Sequence, residues 1–121
     1  MTLTERLEAI EAGYEFSLAY AAQGRTDESG SQIRPMLERM HAALEGLGQE
    51  VEAAVSRAGS AHAASTKRFL EAVRQDAVVA QGAIGLVLDA PALGSLLVDN
   101  LNATIHLRAL LTDLFLIDQA R

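Results

Sequence analysis

A chain of 121 residues, half of them hydrophobic, is expected to fold as one domain spanning residues 1–121 rather than as a disordered segment. Ten basic and sixteen acidic residues give a formal charge of -6 with the two signs interspersed, so the clustered Lys and Arg that grip a nucleic-acid backbone are missing. Without cysteine there is no disulfide, no thiolate nucleophile and no cysteine-held metal.

The first predicted helix covers residues 4–23. Its opening is acidic and has no basic run ahead of an apolar one, so no secretory leader is expected, and the location read from sequence is cytoplasmic. Thr2 or Thr4 can cap this helix, and Thr2 with Glu5 has the spacing of a capping box. Leu3, Leu7, Ile10, Tyr14, Leu18 and Ala21 recur every three or four residues and form the expected core stripe. Phe16 and Tyr20 fall off that stripe, which assigns them to a second apolar contact, an interface. Gly13 weakens the helix by about 1 kcal/mol relative to Ala, which a close helix crossing would explain and which the helix could also merely tolerate.

Residues 24–31, GRTDESGS, have no periodicity and read as a loop, long for a bundle connection and expected to be the most mobile segment and a binding edge. The second helix follows over 32–58, with Ser31 as its cap and Pro35 in its first turn. Ile33, Leu37, Met40, Leu44, Leu47, Val51, Ala54 and Ala58 alternate spacings of four and three, the heptad seam of left-handed bundles. Gly46 and Gly48 weaken this helix locally but need not break it. Residues 59–65 form a second connection, which holds His62.

A third helix over 66–88 places Phe69, Val73, Ala77, Ala80, Ile84 and Val87 on one stripe, while Ala80, Gly82, Ala83 and Gly85 permit close backbone approach. The apolar run 78–98 has the length of a membrane span, but Asp89 and Pro91 interrupt its middle. It is read as parts of two helices joined at 89–91, with Asp89 capping the last one. That last helix runs to Ala120 and is apolar on two sides. Leu93, Leu96, Leu107, Leu110, Leu111 and Leu114 supply the core. Val98, Ile105, Ala109 and Leu116 form a second dry face, assigned to a neighbouring copy, the alternative being that the first helix drapes over it inside the same chain. The fold expected from these four helices is all-α, an antiparallel up-and-down four-helix bundle.

Little of this pattern carries chemistry. Glu38 and His41 make one E-x-x-H unit, but a carboxylate-bridged di-metal bundle needs two, so neither metal nor cofactor is expected. As a phosphate acceptor His41 would have the carboxylate of Glu45 one turn away, which opposes that role. On the last helix Asp99, Asn102 and His106, with Ser95 and Asp113, make a polar line that could bind a ligand or a partner or simply face water. No activated nucleophile accompanies it. The leading expectation is a non-enzymatic, homo-oligomeric assembly protein, with self as the partner, no nucleic acid and no membrane. The alternatives are a chaperone or adaptor that takes a partner helix into an apolar groove, and a small-ligand carrier using the Asp99–Asn102–His106 line.

Overall fold

The computed structural model describes residues 1–58 and 63–120. Its regular structure is helical throughout the described residues: α1 (Leu3–Ala21), α2 (Ile33–Leu44), α3 (Leu47–Ala58), α4 (Ala63–Leu88), α5 (Ser95–Ala103) and α6 (Ile105–Ala120). The second and the last of the four expected helices are each broken in two. The connection around His62 lies outside the described residues.

α1 begins as its sequence dictates. Thr2 Oγ1 accepts from the Glu5 amide at 3.1 Å, and Glu5 returns a bond to the Thr2 amide at 2.9 Å, so two donors at the helix start are satisfied reciprocally. The buried stripe, however, is Ala9, Ile10, Gly13, Ser17 and Tyr20, and Leu18 is exposed. Two of the inward positions carry no hydrophobic signal. Gly13 is inward because a side chain there would overlap Met40 Cγ and Sδ of α2. Ser17 is tolerated there because its hydroxyl donates to the Gly13 carbonyl at 2.8 Å.

The heptad residues from Ile33 to Ala54 are buried, and the seam continues across the α2–α3 break between Leu44 and Leu47. Gly46 makes the break, with φ at +69° in the left-handed region that favours glycine. Neighbouring helices donate to the acceptors that the break exposes. Arg6 Nη1 on α1 donates to the carbonyls of Ala43 (3.1 Å) and Glu45, and Gln81 Nε2 on α4 donates to the His41 carbonyl at 3.1 Å and the Glu45 carboxylate at 2.6 Å. Gly48 then lets α3 press on α4, since a Cβ there would lie 3.0–3.1 Å from Arg74 Cβ, Cγ and Cα.

α4 buries Val73, Ala77, Ala80, Ile84 and Val87 as its stripe predicts. It ends at Leu88, and residues 89–94 form a turn before Gly94 precedes α5. Asp89 is exposed and does not cap α5. The run 78–98 is thus divided, and among the described residues no helix is long and apolar enough to cross a membrane.

The α5–α6 break involves neither Gly nor Pro. Thr104 is extended (φ -66°, ψ 137°), with its amide and hydroxyl both bonded to the Leu101 carbonyl at 3.1 and 2.7 Å. The break resets the helical phase. Ser95, Val98 and Leu101 face inward before it, and Leu107, Leu110, Leu111 and Leu114 after it. Leu96, expected in the core of an unbroken helix, is 74% exposed. α5 packs chiefly on α1, and α6 chiefly on α4, which also contacts α2 and α3.

Candidate functional site

The polar line on the last helix does not survive the break as a single line. Asn102 on α5 turns to α1, where Nδ2 donates to the Ser17 carbonyl at 3.0 Å. Its Oδ1 is buried and has no hydrogen-bond partner among the described residues. His106 on α6 turns to α4, with Nδ1 3.9 Å from Asp76 Oδ1. Asp99 is exposed. Ser95, a fourth member of the stripe, is buried and structural.

The contact with α4 brings together a group that the sequence pattern had not linked. Asp76 lies against both His106 and Asp113. Burial raises the Asp113 carboxyl above its ordinary range, and the Asp76 charge and their hydrogen bond raise it further. This pair can hold a proton between two oxygens, a property that only the α4–α6 packing creates. Among the described residues no group of three His, Asp or Glu is arranged to hold a metal ion. Glu38 is exposed, and half-buried His41 lies against α4, its Nε2 3.5 Å from where a Cβ at Gly85 would stand.

Loop 24–31, expected to be mobile, is tied to the start of α5. Ser95 Oγ accepts from the Arg25 amide and donates to the Tyr20 carbonyl, both at 2.8 Å, and the Ser95 amide donates to the Arg25 carbonyl at 2.8 Å. The Tyr20 hydroxyl bridges the carbonyls of Asp27 (3.0 Å) and Leu93, and the Arg25 guanidinium lies 5.6 Å from the Tyr20 ring centre. Glu28 grips Arg34 with both oxygens, at 2.6 and 2.9 Å, and Arg34 also donates to the Leu88 carbonyl at 3.2 Å. The Arg34 guanidinium keeps the Glu28 carboxyl below its ordinary range.

The clamp and the Thr104 break each correct one of the interface assignments. Tyr20 is fully buried because it forms the floor of the loop, and Val98 is fully buried because the Thr104 break turns it inward. Phe16 and Ala109 are half-buried. Ile105 and Leu116 are exposed at 63% and 58%, with Phe115 beside them, on the side of α6 away from Leu107, Leu110 and Leu114. Sequence reading missed Val78 and Leu86, which are 60% and 74% exposed on α4. The signal was present: once the 73–87 stripe faces the core, positions 78, 82 and 86 must face the opposite way.

Two grooves bear on the other candidate roles. Beside α6, the gap among Leu3, Leu7, Val51, Ala54, Leu114 and Ile117 is about 10 Å³, room for one water at most. Between α3 and α4 an open groove of about 280 Å³ is lined by Val55, Leu70, Lys67 and Glu71, beside the Glu52–Arg74 ion pair. Comparison of the chain with protein-family models, with characterised proteins and with solved structures finds no match.

Proposed function

We propose that this protein is a non-enzymatic assembly protein that acts as a homo-oligomer. One observation carries the reading: five large apolar side chains, Val78 and Leu86 on α4 and Ile105, Phe115 and Leu116 on α6, are more than half exposed on two helices that pack side by side. The core is filled without them, so they are surplus to folding. Single exposed apolar residues are ordinary; we read several on two adjoining helices as parts of one contact surface. In this reading α2–α3 and α5–α6 are two broken rods of an antiparallel four-rod bundle, and the protein works in the cytoplasm. Ile105, Ala109 and Leu116 form its α6 edge, and Asp99 and His106 supply polar contacts at the margin.

The α3–α4 groove favours a second reading, an adaptor that receives an amphipathic partner helix over Val55 and Leu70. Light scattering on size-exclusion eluates decides between them. A wild-type dimer or larger particle at micromolar concentration, reduced in size by Ile105→Asp, is the expected result. A wild type that stays monomeric refutes self-assembly and leaves the adaptor reading.

A further inference from the structure

α4 carries a glycine that its own fold does not require. A Cβ at Gly13, Gly48 or Gly94 would meet neighbouring atoms at 3.2 Å or closer, which explains those glycines from within the chain. At Gly82 a Cβ would have nothing within 4 Å. Gly82 is exposed, inside the last third of a helix of 26 residues, where glycine still costs helix stability relative to Ala. Val78 and Leu86 stand four residues to either side of it, 60% and 74% exposed, on the face opposite Val73, Ala77, Ala80 and Ile84. The result is a notch flanked by two apolar knobs along about 12 Å of helix.

We infer that a second copy of this chain covers this face, with the α4 helices crossing antiparallel at Gly82 so that Val78 of each lies against Leu86 of the other. The inference rests on the self-assembly reading and names its seam. The spacing is symmetric about Gly82, and a two-fold axis through the notch therefore pairs each knob with its counterpart, as an isologous contact requires. Absence of a side chain at the axis lets the two backbones approach, as at Gly13 and Gly48 inside the chain. Charge points to the same occupant. Each copy carries a formal charge of -6, and α1 presents exposed Glu8, Glu11 and Glu15, whereas α4 has no charged residue between Asp76 and Asp89. Two like-charged copies meet most easily where the helices in contact bring no carboxylate of their own, with Glu45 on the flank engaged by Gln81, and a basic partner would be drawn to α1 instead. One helix crossing buries less than the 1,200 Å² or so of a stable interface, so the seam requires further contact from adjoining elements, for which exposed Ile105 and Leu116 on α6 are the candidates.

The test compares wild type, Gly82→Leu, Leu86→Glu and Ile105→Asp by sedimentation over a range of concentrations, with thermal melts beside them. In the monomer Gly82→Leu fills open space and strengthens the helix, so its melting temperature at low concentration should rise. Its dimer should weaken at least tenfold, a combination that a merely solvated glycine would not give. Since the chain has no cysteine, Gly82→Cys provides a second readout. Under mild oxidation it should cross-link to a covalent dimer far faster than Glu11→Cys on the acidic face of α1. A wild-type dimer that ignores Gly82→Leu and Leu86→Glu but falls apart with Ile105→Asp overturns the α4 seam while leaving self-assembly intact. Equal cross-linking of the two cysteine variants overturns the seam as well. A wild type monomeric at every concentration overturns the seam together with the reading beneath it.

Discussion

Arg6 holds the α2–α3 break closed, and its replacement by Met should show what the break costs. Met retains most of the aliphatic stem but removes the guanidinium donors to the Ala43 and Glu45 carbonyls. A hydrogen bond from a charged donor contributes about 1.5–3 kcal/mol. Two features pull the net effect toward the lower end. The bond to Glu45 is exposed, so water can replace it, and Arg6 Nε is already buried without a partner, a cost that Met abolishes. The expected loss is then about 1.5–2 kcal/mol, dominated by the part-buried bond to the carbonyl of buried Ala43. With an unfolding entropy of roughly 2.1 cal/mol/K per residue, this corresponds to a melting temperature lower by about 6–8 °C. Circular dichroism melts of Arg6→Met, with Arg39→Met as the exposed control, measure it. The control should change by less than about 2 °C, in line with ordinary surface substitutions. An Arg6→Met protein that melts within a degree of wild type, or no lower than the control, would show that the break does not depend on this cap.

Two further substitutions probe single contacts. Gly13→Ala gains about 1 kcal/mol of helix propensity but drives a methyl into fully buried Met40, an overpacking cost of about 1–3 kcal/mol. The variant should be up to about 2 kcal/mol less stable in urea, and one more stable than wild type would remove the close α1–α2 crossing. Asp113→Asn tests the carboxylate pair. The raised Asp113 carboxyl gives stability that is fully present below the ordinary Asp value of about 3.9 and is lost as pH rises through its folded value. Asn keeps a donor toward Asp76 at every pH. It should therefore be more stable than wild type at pH 7, by less than about 1 kcal/mol, with the difference vanishing near pH 3.5. Parallel denaturation curves for the two proteins across this range would rule out the pair.

Several features follow from neighbouring residues alone, and the sequence therefore determined them. Thr2 and Glu5 cap α1 through each other, three positions apart. The Ile33–Ala54 seam and the Val73–Val87 stripe are inward because helical periodicity leaves no other dry face. The tertiary structure decided everything that depends on groups distant in the chain. The α2–α3 break needs Gly46, but Arg6 and Gln81, remote in sequence, satisfy the groups it exposes. The Thr104 break has no local breaker, and it moves Val98 inward and Leu96 outward relative to an unbroken helix. In α1, Gly13 and Ser17 concealed the true stripe, since one is inward for lack of a side chain and the other because its hydroxyl is satisfied by the helix itself. The Asp99–Asn102–His106 line was a product of extending one helical phase past Thr104. Asp76 and Asp113, at the same time, became partners only when α6 settled on α4. Periodicity reports which way a side chain points as long as the rod continues; where the rod breaks, the direction is set by whatever packs across it.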